Sequence, residues 1–378
     1  MLDLDAEFPL IPDLIHLNHA AVGPWPRRAA EAVAEFAREN CHQGNLDYGH
    51  WLARYEALKA QLAEFIHADS PDEIALVKNT SEGLSFVAQG IAWEAGDEVV
   101  ISDEEFPSNR IVWEALAERG VQLRQVALRQ PGRTPEEALM EACGPRTRLL
   151  SISAVQYASG LRMDLPTLGA FTRAQDILFC VDAIQMIGAA PFDVQAIGCD
   201  FAIADGHKWM LGPEGLGLFY LRQPLIEALK LTQFGWNMVE DAGNYQVKTW
   251  TPARSARRFE AGSPNMLGAV ALSASLSVLA EYGMPAVSNK IIKNIQYLSE
   301  NIASIDGLKV ISELSPGRFL GIMVVQSESG DNAGLFEHLK THRVLCAQRG
   351  GGIRLSPHFY TSQATLDRAL EVLSAWRA

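Results

Sequence analysis

The run Ile177-Leu178-Phe179-Cys180-Val181 is apolar throughout and ends on Asp182. A strand with one wet face alternates apolar and polar residues. An unbroken run needs cover on both faces, as in a parallel sheet with helices packed outside it. Further short strands are predicted at Ile74–Val77, Glu98–Ile101, Arg148–Ala154, Phe201–Ala204 and Leu218–Leu221, with helical stretches between them. Among these, Trp51, Tyr55, Leu58, Leu62 and Phe65 recur at intervals of three and four and form one buried helical face. Strands alternating with helices predict an α/β fold with a mainly parallel sheet, whose carboxyl-terminal strand ends share one edge.

That edge would be polar. Asp182 closes its strand, with Gln185 three residues on; Thr80-Ser81-Glu82 opens a helix after Val77; Phe106 sits in an acidic loop after Ile101; and Gln156 follows Ala154. Asp205-Gly206-His207-Lys208-Trp209, followed by Gly212-Pro213-Glu214-Gly215-Leu216-Gly217, links two apolar runs. Each residue has a plain structural explanation: Asp182 or the Thr80-Ser81-Glu82 run as a helix cap, Lys208 as a surface lysine in a glycine-rich turn. The set has a chemical one. An amine, a carboxylate, a flat aromatic and the donors of a helix start meet the needs of pyridoxal phosphate: a covalent anchor, a partner for the ring nitrogen, a stacking surface and a phosphate site.

The chain has 378 residues, 48% hydrophobic and 20% charged, enough for a large core split into two units. The expected division is a large domain over 17–255 and a smaller α/β domain made of 1–16 and 256–378. A formal net charge of −13 argues against a nucleic-acid partner. The longest apolar stretch, Met266–Ala280, carries three serines, so no membrane span is expected. The acidic start Met1-Leu2-Asp3-Leu4-Asp5 is unlike a leader peptide, and a cytoplasmic location is the expectation. Five scattered cysteines with no C-x-x-C pair predict neither disulfides nor a metal site.

The motifs L-N-H-A-A-V-G-P (17–24), N-T-S-E-G (79–83), E-F-P-S-N (105–109), V-D-A-I-Q (181–185), D-G-H-K-W (205–209) with G-P-E-G-L-G, R-F-E-A-G-S-P-N (258–265) and G-I-R-L-S-P-H-F-Y (352–360) together resemble the class V aminotransferases. That family includes cysteine desulfurases, selenocysteine lyases, kynureninases and isopenicillin N epimerase. The resemblance runs from about Leu17 to Tyr360. It implies a fold-type I pyridoxal-phosphate enzyme in which Lys208 carries the cofactor and shuttles a proton. It further implies that Asp182 pairs with the ring nitrogen, Gln185 bonds the ring oxygen, Phe106 stacks on the ring, and Thr80, Ser81 and His207 hold the phosphate. Gln156 matches a position near ring and substrate. Ser263 matches a residue that reaches the phosphate from a neighbouring copy, which implies a homodimer with shared sites. Arg354 matches the arginine that grips the substrate α-carboxylate.

Two departures stand out. Asp205 takes the place of a serine near the phosphate in many desulfurases. Desulfurases also carry a nucleophilic cysteine on a mobile loop ahead of the substrate arginine, whereas here Cys346 lies in the apolar run Val344-Leu345-Cys346-Ala347 and reads as a buried residue. The leading expectation is therefore a transaminase acting on the α-carbon of a small amino acid. The alternatives are a lyase of the desulfurase or selenocysteine lyase type, an epimerase, and a cofactor-binding protein without catalysis. His19, Trp25, Trp236 and Asn237 are candidates for the substrate end of the pocket.

Overall fold

The computed structural model describes residues 2–246 and 248–377. Its strands are β1 (Ile15–His16), β2 (Ile74–Val77), β3 (Glu98–Ser102), β4 (Gln122–Val126), β5 (Thr147–Ser153), β6 (Leu178–Asp182), β7 (Phe201–Asp205), β8 (Gly217–Leu221), β9 (Leu308–Val310), β10 (Met323–Ser327), β11 (Val344–Leu345), β12 (Ala347–Arg349) and β13 (Gly352–Leu355). Strands β2 to β8 form one sheet in the order β2-β8-β7-β6-β5-β3-β4. The five strands from β4 to β7 run parallel, and β8 lies antiparallel between β7 and β2.

The unbroken apolar runs feed two cores, one on each face. Phe179 and Val181 of β6 and Ala202 and Ala204 of β7 join a cluster with Tyr55, Leu58 and Leu62 of the helix Tyr48–Phe65. Cys180, Phe201 and Ile203 point the other way, against Leu84 and Val87 of the helix Thr80–Gly90 and against Trp113. Each fully buried Leu, Ile, Val or Phe contributes roughly 1.5–3 kcal/mol, so these strands cannot slip register without exposing both sets.

The smaller sheet is antiparallel, in the order β12-β13-β10-β9. It is covered by Ile295, Leu298 and Ile302 of one helix and Leu366 and Leu373 of another. The amino-terminal β1 pairs in parallel with β11, and Ile15 and Leu17 enter the same core. The helix Met266–Tyr282 goes elsewhere: its Leu272, Leu276 and Leu279 pack in the large-sheet core with Leu58, Leu62 and Leu218. Residues 266–282, which the expected division at 255 puts in the small domain, thus pack in a core that also takes in Val287, Ile291, Leu320 and Ile322, so the two expected units share it. The break in pattern before 266 marks a loop, and the apolar face that follows still returns to the large sheet. No single helix among the described residues is long and apolar enough to cross a membrane.

Candidate active site

The carboxyl-terminal ends of β2, β3, β6 and β7 open into a cleft of about 430 Å³. Its walls include Thr80, Ser81, Phe106, Asp182, Gln185, Asp205, His207, Lys208 and Arg354. Eight of the ten residues expected at a cofactor site are thus in one place, at the crevice where open α/β sheets bind ligands.

One end of the cleft is built by the start of the helix Thr80–Gly90. The cap is Asn79, not Thr80 or Ser81: the extended Asn79 accepts the Glu82 N–H on Oδ1 at 2.9 Å, and Glu82 accepts the Lys78 N–H at 2.6 Å. This leaves Thr80 and Ser81 in the first turn, where backbone N–H groups have no helical acceptor. Ser81 Oγ lies 2.8 Å from Ser108 Oγ, and Thr80 Oγ1 is buried without a hydrogen-bond partner. Asp205 turns Oδ2 toward His207 Nδ1, 3.5 Å away and beyond a hydrogen bond.

Lys208 and Asp182 face the middle of the cleft. Burial pushes the Lys208 amine down to about 8, helped by repulsion from Arg354 and opposed by Asp182 and Asp205. Burial pushes the Asp182 carboxyl up to about 7. Glu105 and Asp205 add to this, while the Ile184 N–H and Lys208 oppose it. The amine is thereby close to its nucleophilic form at neutral pH, and the acid is poised to gain full charge beside a cation. Lys208 Nζ lies 5.6 Å from the centroid of the Phe106 ring, which is itself set edge-on to Tyr157 at 5.1 Å. Gln185 is fixed from both ends: it donates to the Ala20 carbonyl at 3.0 Å and accepts from the Trp209 indole at 2.7 Å. Its second amide hydrogen remains for a ligand.

Arg354, 3% exposed, donates to the Tyr157 carbonyl at 2.7 Å and lies 3.5 Å from Asn18 Oδ1, while its Nε has no partner. Thr80 Oγ1, Asp205 Oδ1, His207 Nδ1 and Arg354 Nε are all buried, unpartnered and on residues of this one cleft. Native interiors leave few polar atoms in that state, so the cluster is the mark of a ligand site. Its sequence of phosphate donors, amine, acid and aromatic fits pyridoxal phosphate.

Two expected residues lie outside the walls. The Gln156 side chain is fully buried and turned inward, donating to Glu105 at 3.0 Å, because that carboxylate is its nearest strong acceptor. Ser263 is exposed and borders a separate cleft with Lys78, Glu82 and Gly215. None of the four substrate-end candidates lines the cleft either. His19 is buried between the Ser356 carbonyl and Tyr360, Asn237 donates to the Glu260 carbonyl, and Trp25 and Trp236 are 41% and 37% exposed elsewhere. Tyr157, Glu214 and Arg349 do line it and were not anticipated. Glu214 falls in the G-P-E-G-L-G motif, and Tyr157 lies beside Gln156 just past the strand ending at Ala154.

Cys346 is 8% exposed in the small-domain core, where burial pushes its thiol up to about 12. None of the five cysteines lines the cleft. Where desulfurases have a mobile loop, β12 and β13 are joined by Gly350-Gly351 alone, at φ +64° and +85°. This is the left-handed geometry of a tight two-residue hairpin.

Residues 15–367 match the family model for aminotransferase class V. A probable cysteine desulfurase of Methanothermobacter thermautotrophicus is 30% identical, with 98% of this chain and 96% of that protein covered. A cysteine desulfurase of Klebsiella pneumoniae is 32% identical over 80% of this chain and 77% of that one. Among solved structures, the cystine C-S lyase C-DES in complex with its reaction product cysteine persulfide superposes with a TM-score of 0.90 at 23% identity, covering 98% of this chain and all of the other. Apo cysteine desulfurase from Thermococcus onnurineus NA1 superposes at 0.87 and 22%, over 98% and 96%. Sequence match and superposition agree with the motifs gathered at the sheet edge: the chain belongs to the class V aminotransferase family.

Proposed function

We propose that the protein is a pyridoxal-phosphate-dependent lyase that breaks the Cβ–S bond of a small sulfur-containing amino acid without using a thiol of its own. The names of the relatives support the lyase over the transaminase that the sequence put first. The observation that carries the second half is the burial of Cys346 behind a two-residue glycine turn. A thiol there cannot accept sulfur from a substrate in the cleft, so the sulfur leaves with the product.

Bound through Lys208, pyridoxal phosphate supplies an electron sink for the bonds broken next to the amino group. Arg354 takes the substrate α-carboxylate and fixes Cα over the cofactor. Lys208 receives the Cα proton, a role its lowered basicity suits at neutral pH. The Cβ–S electron pair departs on sulfur, as sulfide from cysteine or as a persulfide from a disulfide substrate, and hydrolysis of the remaining three-carbon unit yields pyruvate and ammonia. Asp182 holds the proton at the ring nitrogen, Phe106 covers the ring, Gln185 bonds its oxygen, and Thr80, Ser81 and His207 hold the phosphate. Ser263, facing away from its own cleft, serves the site of a second copy in a homodimer.

The test is product analysis of the cofactor-loaded protein with cysteine and with cystine. Pyruvate and ammonia with sulfide or persulfide are expected. Alanine production that disappears in Cys346→Ser would overturn the thiol-free reading, and delivery of the amino group to an acceptor keto acid would restore the transaminase.

A further inference from the structure

Glu105 has no part in the assignments above, yet it is the most heavily hydrogen-bonded carboxylate near the cleft. It is 7% exposed. It accepts from Ser102 Oγ at 2.7 Å, Asn109 Nδ2 at 2.8 Å, Gln156 Nε2 at 3.0 Å, the Ser153 N–H at 3.1 Å, and the Ser153 hydroxyl. Asn109 is itself oriented, its Oδ1 accepting from Trp113 Nε1 at 3.0 Å and Ser151 Oγ at 2.6 Å. Three of these partners, the Asn109 and Gln156 amides and the Ser153 N–H, can only donate, and the two serine hydroxyls can turn to do the same, a set that suits the acceptor-only form of a carboxylate. No lysine, arginine or histidine is among its partners.

A buried charge without a counter-ion is costly. The position of Glu105 shows where its counter-ion belongs. Ser153, which holds Glu105 through both backbone and side chain, is the cross-strand partner of Asp182, and the Ala154 N–H donates to the Asp182 carbonyl at 2.9 Å. Glu105 therefore lies one strand away from Asp182, behind the residue that meets the ring nitrogen in the reading above. The charged groups that act on Asp182 are Glu105 from the β3 side and Asp205 and Lys208 from the β7 turn. Around Asp182 itself two further carboxylates, Glu105 and Asp205, stand against one amine; Arg354 acts on Lys208 from across the cleft, and His207 Nδ1 lies 3.5 Å from Asp205.

We propose that Glu105 is a positioning residue that acts with Asp182 to keep the cofactor ring nitrogen protonated, a second anion set one layer behind the first. This rests on the pyridoxal-phosphate part of the functional reading and is independent of which bond the enzyme breaks. The donor cage aims hydrogens at both carboxylate oxygens and fixes them behind Asp182, from where a charge on Glu105 acts on the ring across low-dielectric protein. The same cage ties the loop carrying Phe106 to β5, so the charge and the stacking ring are set by one element.

The experiment uses protein loaded with pyridoxal phosphate labelled with 15N in the ring, and follows the nitrogen shift against pH. In Glu105→Gln, which keeps size but loses charge, the midpoint for ring deprotonation falls by about one pH unit, a roughly tenfold change. In Glu105→Asp, which keeps the charge, it stays near the wild-type value. A residue that only scaffolds the loop would leave the Gln midpoint unmoved, and that result overturns the proposal. Should Glu105→Gln fail to fold, Asp182→Asn supplies the reading. With residue 182 neutral, the ring nitrogen still loses its proton at a midpoint above that of a pyridoxal phosphate imine free in water; a midpoint at or below the free value overturns the proposal. A wild-type protein that takes up no cofactor removes the functional reading as well, whereas loading with an unmoved midpoint removes this proposal alone.

Discussion

Gly23 donates its N–H to the His207 carbonyl at 2.8 Å, and its Cα lies so close to the Lys208 carbonyl that a Cβ there would overlap the oxygen. The amino-terminal loop is thus a brace for the turn that presents Lys208. It needs glycine for lack of space; its backbone conformation is not the reason. In Gly23→Ala something must shift, at a cost of about 1–3 kcal/mol. Part of that cost falls on the position of Lys208. The apoprotein is expected to melt several degrees lower, and its affinity for pyridoxal phosphate to fall, as read by thermal unfolding and by titration of cofactor absorbance. A fall in melting temperature with unchanged affinity would show that the turn holds itself.

Lys208 sets the pH dependence of cofactor capture. With its amine lowered to about 8 by burial, on the order of a tenth is neutral at pH 7, against a far smaller fraction for an ordinary lysine near 10.4. The rate at which apoprotein takes up pyridoxal phosphate should rise through pH 7 to 8 and level off above. A lysine of ordinary basicity would continue to gain beyond pH 10. In Asp182→Asn, loss of a carboxylate that favours the charged amine moves the inflection to lower pH.

The two shifts also act on the stability of the cofactor-free fold. Asp182 is raised from 3.8 to about 7, so the folded state binds its proton more tightly than the unfolded chain does. Its contribution is present below about pH 4 and is lost as pH rises to 7. Lys208, lowered from 10.5 to about 8, costs stability below pH 8, and the cost is relieved between about 8 and 10.5. Cofactor-free protein should therefore gain most from pyridoxal phosphate near neutrality, where the costs of the two groups to the fold add to their largest sum. Melting temperatures with and without cofactor across pH 5 to 9 measure this; a gain that does not change with pH would contradict it.

What could be read from the residues was set by short-range physics. Continuous apolar runs announced strands covered on both faces, and polar residues just past them had to fall at one sheet edge. Asp182, Lys208 and Phe106 were placed in this way. Glu105 was not: in Asp103-Glu104-Glu105 it looks like part of a solvated acidic loop, and only the fold brings Ser153 and Gln156 from β5 to cage it. Gln156 was assigned to the pocket for its place after a strand, but the side chain answers to the buried carboxylate. The helix Met266–Tyr282 is apolar nearly all round, so its sequence could not say which core it joins. Arg349, on β12, reaches the cleft through the packing of the small sheet against the large one, a relation that no local pattern encodes.

Cys346 separates two chemistries at little risk to the fold. Its side chain packs among Val344, Met323 and Leu355, and burial holds the thiol protonated at neutral pH. Cys346→Ser buries a hydroxyl in place of a small apolar group and should cost about 1–3 kcal/mol. Turnover per folded molecule stays at the wild-type level, and treatment with iodoacetamide leaves activity intact, because the thiolate that reacts is scarce and enclosed. Rapid inactivation that follows alkylation of residue 346 would show instead that the small-domain core opens to admit the reagent.

Arg354 illustrates a site residue that the fold carries at some expense. Its guanidinium is 3% exposed, and burial together with repulsion from Arg349 lowers it to about 10, still protonated at neutral pH. Among the described residues it has no carboxylate within salt-bridge distance, and Nε has no hydrogen-bond partner. Replacing a buried charge with an apolar side chain of similar length often costs a fold nothing. Arg354→Met should leave the melting temperature of the cofactor-free protein within a few degrees of wild type. An amino-acid substrate loses its bidentate partner in the same variant, so binding weakens by roughly 10- to 100-fold, with KM rising more than kcat falls. Arg354→Lys restores the charge but not the fork, and recovers only part of the loss. Equal affinity for a substrate and its decarboxylated amine in the wild-type protein would show that the arginine serves the fold and not the α-carboxylate.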